Sequence, residues 1–117
     1  MREGTGKRVI EKLTEVIARK YKPEKIILFG SHAYGEPHEE SDIDLLIIKK
    51  TRKAFFDRLY DVRRISSEAR SGYAFEPVVL TPAEVNERLR AGDQFIDEIL
   101  AKGEVLYARQ QGIPVSS

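Results

Sequence analysis

The chain of 117 residues has no cysteine, which excludes disulfides and thiolate metal sites. An excess of charge is missing too. Twenty Lys and Arg stand against 19 Asp and Glu, a net of +1. That balance offers no electrostatic ground for bulk binding to nucleic acid, and no direct nucleic-acid binding is expected. Long apolar runs are absent: no stretch approaches the roughly 20 residues of a membrane span, so no membrane association is expected. The opening Met1-Arg-Glu-Gly-Thr-Gly6 carries no apolar segment of the kind a secretory signal needs. A cytoplasmic location is the expectation. Histidine is scarce: His32 and His38 are the two in the chain, too few without cysteine to complete a zinc site. Both read as exposed loop residues. Repeats, linkers and low-complexity segments are lacking.

What is present fits one domain. Apolar residues make up 41% and charged residues 33%, the balance of a globular protein with one modest core. The domain is expected over residues 1–108, with a flexible tail over 109–117. Val9, Ile10, Leu13, Val16 and Ile17 recur at helical spacing, which predicts an amphipathic helix from Lys7 to Lys20, ended by Pro23. Lys25 to Phe29 and Ile43 to Ile48 read as buried strands, the second apolar on both faces and therefore central. Between them, Ser31 to Tyr34 starts a short helix and residues 35–40 form a loop. Thr51 is expected to cap a long helix running to Arg70, with Phe55, Phe56, Leu59, Val62, Ile65 and Ala69 inward. Arg52, Lys53, Arg58, Arg63 and Arg64 then fall on its solvated face. Ala74 to Leu80 is a third strand. Thr81-Pro-Ala-Glu84 has the form of a capping box with proline at the first helical position, so a helix follows to Arg90. Gly92-Asp93 separates it from a helix over Gln94 to Lys102, closed by Gly103. Glu104 to Tyr107 is a last strand. The fold class is α/β, a small mixed sheet with helices packed on it.

One stretch concentrates the chemistry: Ile26-Ile-Leu-Phe-Gly-Ser-His-Ala-Tyr-Gly35 and, after the loop, Ser41-Asp-Ile-Asp-Leu-Leu-Ile-Ile48. Asp42 and Asp44 lie two apart in an extended segment, so both carboxylates share a face. Adjacent like charges at the mouth of a buried strand call for a cation, and a hard one such as Mg²⁺ suits carboxylate and phosphate oxygens. Gly30 and Ser31 open a turn or helix whose free N–H groups, with the Ser31 hydroxyl, suit a phosphate. Gly35 lets the chain turn away, and Ser41 caps or orients the acids. A phosphate cradle beside an acid pair implies phosphoryl or nucleotidyl chemistry. Tyr34, Tyr60, Tyr73 and Tyr107 read as core or rim packing.

Gly30-Ser31-His32-Ala33-Tyr34-Gly35, a loop, and Ser41-Asp42-Ile43-Asp44-Leu45 resemble the signature of the DNA polymerase beta-like nucleotidyltransferases. The chain is similar in size and element order to the minimal nucleotidyltransferases, small prokaryotic proteins often paired with a HEPN-domain protein. The resemblance implies a sheet covered mainly on one face, with an active-site cleft on the other. It implies ATP as substrate and Mg²⁺ as cofactor, in a one- or two-metal site. It also implies a third carboxylate on a neighbouring strand, commonly Asp. Here the matching strand, Phe75-Glu-Pro-Val-Val-Leu80, has Glu76 as its sole acid, which departs from that pattern. Glu76 is then the third catalytic acid and metal ligand beside Asp42 and Asp44, unless it is an edge glutamate pointing to solvent, as Pro77 allows. Glutamate's extra methylene shifts the carboxylate, and a misplacement of about 1 Å can cost about 10²-fold in rate.

The implied reaction is attack of a hydroxyl on the α-phosphate of a nucleoside triphosphate. A chain of this length leaves no room for a second domain to hold the acceptor. The resemblance points to a separate HEPN protein, a toxin blocked by nucleotidylation of a tyrosine. The HEPN pattern itself, an Arg shortly before a His, is absent from this chain. Two other readings stay open: an antitoxin that binds nucleotide and neutralises without catalysis, and transfer to a small molecule. Uncovered helix or sheet faces are expected to dock the partner or a second copy of the chain.

Overall fold

The computed structural model describes residues 3–35 and 42–109, so His38 and Ser41 lie outside the described residues. In chain order the elements are α1 (Glu3–Lys20), β1 (Lys25–Phe29), α2 (Ser31–Tyr34), β2 (Ile43–Ile48), α3 (Phe55–Ser66), β3 (Phe75–Leu80), α4 (Pro82–Arg90), α5 (Gln94–Lys102) and β4 (Glu104–Ala108). The strands form one mixed sheet in the order β3-β2-β1-β4, with β1 antiparallel to β2 and β4, and β3 parallel to β2. β2 is thus central, as its two apolar faces predict, and β1 lies beside it as the other inner strand. Among the described residues no helix is long and apolar enough to cross a membrane.

Alternation along the strands sorts the core into two halves. Ile26, Leu28, Ile43, Leu45, Ile47, Phe75 and Val79 face one side, where α1 lays down Val9, Ile10, Leu13 and Ile17 and α3 lays down Val62. Ile27, Phe29, Leu46, Ile48 and Leu80 face the other side, where α4 adds Val85 and α5 adds Ile96 and Ile99. Each fully buried Leu, Ile or Val contributes about 1.5–3 kcal/mol, so both layers matter. The first face is covered by α1 and α3. On the second, α4 and α5 cover the half built from Ile27, Leu46, Ile48 and Leu80 and leave the Asp44 end to the site.

α1 begins four residues before Lys7, because Glu3 to Gly6 add helix without adding an apolar signal. The larger difference is α3, which runs from Phe55 to Ser66 and not from Thr51 to Arg70. The Thr51 hydroxyl accepts from the Lys53 N–H at 3.1 Å, closing a local turn instead of capping the helix. Ala54, extended at φ −67° and ψ 159°, stands at the helix start. Arg52 and Lys53 therefore precede the helix. Phe55 and Phe56 do not point inward: they stack edge to face with each other at 5.4 Å, and Phe56 is 78% exposed. Tyr60 is exposed as well.

Arg58, expected on the solvated face of the helix, is instead buried, at only 6% exposed. Its guanidinium binds Glu84 in a fork, Nη1 to Oε1 at 2.8 Å and Nη2 to Oε2 at 3.1 Å. Nε donates to the Lys53 carbonyl at 2.9 Å and Nη1 to that of Val79 at 3.2 Å. Glu84 also completes the predicted capping box of α4, accepting from the Thr81 N–H at 2.9 Å while its own N–H donates to the Thr81 hydroxyl at 3.1 Å. The hydrogen bonds raise the Arg58 pKa and hold the Glu84 carboxyl below its usual range. A bidentate, charge-assisted pair of this kind is what makes a buried guanidinium tolerable.

The same side chain protects an edge. The Ile43 N–H donates to the Ala74 carbonyl and the Lys49 N–H to that of Leu80, so even-numbered residues of β3 face β2. The odd-numbered ones face outward, which is where Pro77 loses nothing by lacking an N–H. Arg63 caps the Phe75 carbonyl and Arg58 the Val79 carbonyl, blunting a strand edge that would otherwise be open. At the other end of the chain Arg109 is tied down: its N–H donates to the Glu24 carbonyl at 2.8 Å, and its guanidinium lies 3.5 Å from the Glu24 carboxylate. The rest of the expected tail, 110–117, lies outside the described residues.

Candidate active site

β1 delivers the chain to Gly30, which turns it into α2 at φ +79° and ψ −156°. Only glycine adopts that combination readily. A second demand falls on the same position. A Cβ built there would collide with Oδ2 of Asp44 and lie 3.1 Å from its Cγ. The missing side chain of Gly30 therefore makes room for the Asp44 carboxylate against the backbone that opens α2. Gly35 is similarly close-fitted, since a Cβ there would sit 2.8 Å from the Cα of Ser31. Ser31 is the first residue of α2, half-buried, and its carbonyl accepts from the Gly35 N–H at 3.1 Å.

Asp44 stands at the centre of the candidate site. Its register partners are Phe29 on β1 and Glu76 on β3, so the three share one face of the sheet. Phe29 is held by an edge-to-face contact with Phe95 of α5, at 5.6 Å between centroids. Burial pushes the Asp44 carboxyl above its usual pKa, the negative charges of Asp42 and Glu76 push it further, and His32 opposes them. The carboxylates are therefore electrostatically coupled. Asp42 precedes β2 and is exposed, while Asp44 is half-buried.

Glu76 is an exposed edge-strand residue that nevertheless neighbours Asp44, in register with it. Its Oε1 lies 3.8 Å from Nη2 of Arg63. Among the described residues no three acids or histidines are gathered closely enough to hold a metal as they stand. The acid types still fit a hard cation. All three candidates are carboxylates, and burial, together with the neighbouring charges of Asp42 and Glu76, raises the proton affinity of Asp44 against the opposing His32.

Two residues of the surroundings escaped the sequence. His32 is half-buried in α2 and not in an exposed loop. A Cβ on Gly6 of α1 would lie 3.5 Å from its Cε1 and 3.6 Å from the Tyr73 hydroxyl, so α1, α2 and the turn before β3 converge on it. Arg63 read as one of several solvated cations on α3, and nothing in its spacing sets it apart. Ser41, the remaining candidate, lies outside the described residues.

A four-stranded mixed sheet, a Gly-Ser turn into a short helix and an acid pair opening the next strand define a nucleotidyltransferase fold. The chain belongs to the polymerase beta nucleotidyltransferase family, whose sequence model matches residues 11–112. Three Methanocaldococcus jannaschii proteins designated protein adenylyltransferases are similar to it. One is 46% identical over 41 residues, covering 35% of this chain and 41% of that protein. A second is 37% identical over 87 residues, covering 72% and 58%. The third is 31% identical over 102 residues, covering 86% and 96%. The chain thus spans about half the length of the first two and nearly all of the third. A crystal structure designated a nucleotidyltransferase, from Sulfolobus solfataricus, has a TM-score of 0.63 at 23% identity over 96% of this chain and 88% of that one. A toxin–antitoxin structure with AMP-PNP has a TM-score of 0.55 at 22% identity over 91% and 75%. At those identities the two structures speak to the fold alone.

Proposed function

We propose that this protein transfers AMP from ATP to a hydroxyl of a partner protein, a tyrosine of a HEPN-domain toxin, and so serves as that toxin's cytoplasmic antitoxin. The observation that carries the reading is Asp44, seated against Gly30 and in register with Glu76. A protein acceptor is supported by the designation of the three relatives as protein adenylyltransferases. A toxin partner is supported by the toxin–antitoxin structure that shares the fold.

Asp42, Asp44 and Glu76 would hold Mg²⁺, which supplies charge neutralisation to the triphosphate and to the leaving pyrophosphate. Gly30 and Ser31 would hold phosphate oxygens through backbone N–H groups and the Ser31 hydroxyl. The acceptor oxygen forms its bond to the α-phosphorus as the bond from that phosphorus to the bridging oxygen breaks. Pyrophosphate departs, and Glu76 takes the hydroxyl proton as general base. In-line approach is the chief geometric demand, so the acceptor must arrive on the Glu76 side.

A second reading is a nucleotide-binding antitoxin that does not catalyse. It is favoured by one observation: the Glu76 carboxylate is more than half exposed and paired with Arg63. Intact-mass spectrometry of a HEPN-domain protein encoded beside this chain, after incubation with it and Mg-ATP, separates the two. An AMP adduct that disappears with Asp42→Asn and Asp44→Asn, together with neutralisation, is the expected result. No adduct, with the double variant still neutralising fully, would establish the binding antitoxin instead.

A further inference from the structure

We propose that Arg63 is a positioning residue that holds the Glu76 carboxylate at the open edge of β3, away from Asp44, and yields it when a divalent cation enters the acid site. The inference rests on reading Asp42, Asp44 and Glu76 as cation ligands.

The guanidinium is anchored before it reaches the acid. Nη1 donates to the Phe75 carbonyl at 3.3 Å, one residue from Glu76. That carbonyl points out of the sheet, so the anchor lies on the edge side of β3. From it Nη2 reaches Oε1 of Glu76 at 3.8 Å. Yet Glu76 is in register with Asp44 on the adjacent strand, and neighbouring strands lie only about 4.8 Å apart. A glutamate has rotamers enough to carry its carboxylate from one side of that position to the other. Among the described residues no three acids are gathered as a ready metal site. The Arg63 and Glu76 side chains are 53% and 57% exposed. Pairs of that kind are weak and exchange easily.

The arrangement serves both states of the site. Without a cation, three carboxylates on one face of the sheet would repel one another. Pairing Glu76 with Arg63 removes part of that repulsion. With a cation present, the same carboxylate gains a doubly charged partner and leaves a singly charged one. Arg63 therefore sets a small threshold on cation binding and keeps the third acid close at hand.

Mn²⁺ titration of the full chain without nucleotide, followed by electron paramagnetic resonance at low ionic strength, tests this. Arg63→Ala should tighten Mn²⁺ binding two- to five-fold, the scale of an exposed ion pair, and Arg63→Lys should restore most of the original affinity. Glu76→Gln should weaken binding, and adding Arg63→Ala to it should change nothing further. A purely structural role for Arg63 would lower the melting temperature without tightening the metal. Unchanged or weaker binding in Arg63→Ala overturns the proposal. So does equal tightening in the Glu76→Gln background, which would mean simple long-range repulsion by the arginine. Mn²⁺ binding that survives Asp42→Asn with Asp44→Asn would overturn the cation site itself, a separate and recognisable failure.

Discussion

Replacing Gly30 with alanine should harm this protein in two ways that can be measured apart. The first is backbone strain: φ +79° with ψ −156° is a region closed to side chains, and holding alanine there costs about 1–3 kcal/mol. The second is a collision. The new methyl would meet Asp44 Oδ2 closer than van der Waals contact allows and Cγ at 3.1 Å, and overpacking of that kind costs about 1–3 kcal/mol more. The sum, roughly 2–6 kcal/mol, is a large part of the 5–15 kcal/mol that holds a typical domain together. Urea unfolding in the absence of metal gives the total. Repeating Gly30→Ala in an Asp44→Ala background separates the parts, because the two nearest contacts, Oδ2 and Cγ, are removed and the Cβ of residue 44 stays at 3.4 Å. The strain stays and the collision goes, so the two substitutions should couple by about 1–3 kcal/mol in the cycle. Strict additivity would refute the placement of the Asp44 carboxylate on Gly30, and with it the geometry on which the candidate site is built.

Asp44 binds its proton more tightly in the fold than in the unfolded chain, so its contribution is most favourable below the ordinary Asp range and is lost as pH rises through the raised folded value. Asp44→Asn should therefore stabilise the metal-free protein at pH 7, with the gain shrinking to nothing near pH 3 in thermal melts. Mg-ATP should reverse the order by binding the unsubstituted site. Arg58→Ala strips Glu84 and the Val79 carbonyl of their buried partner. It should cost about 3 kcal/mol, the low end for a broken buried pair, because Glu84 keeps some exposure. Arg58→Lys should recover only part of that loss, having no fork to offer the carboxylate. Urea midpoints at constant slope check both.

The parts legible in the sequence are those decided by near neighbours in the chain. Pro23 and Gly30 bracket β1, and the alternation of Asp42-Ile43-Asp44 sets two acids against an apolar core residue. Thr81-Pro-Ala-Glu84 carries its capping box within four residues, and Asp93 caps α5 by accepting from the Phe95 and Ile96 N–H groups. Arg58 shows where that reasoning stops. On α3 it looks like one cation among several, and hydrophobicity alone assigns Phe55 and Phe56 to the core. Its burial depends on Glu84, 26 residues away, and on a carbonyl of a strand edge that exists only once β3 has paired with β2. Arg63 is the same case nearer the site. Its Phe75 and Glu76 partners lie 12 and 13 residues along, across a turn whose direction no local pattern records. The two arginines are five apart on one helix and cap outward carbonyls four apart on one strand. About 7.5 Å of rise on the helix meets about 13 Å on the strand, and the long guanidinium stems span the difference. A lysine at position 58 has no fork with which to hold its carbonyl and its acid together. Edge protection of β3 and placement of Glu76 are thus properties of one contact between α3 and β3, and a change in how that helix sits would alter both together.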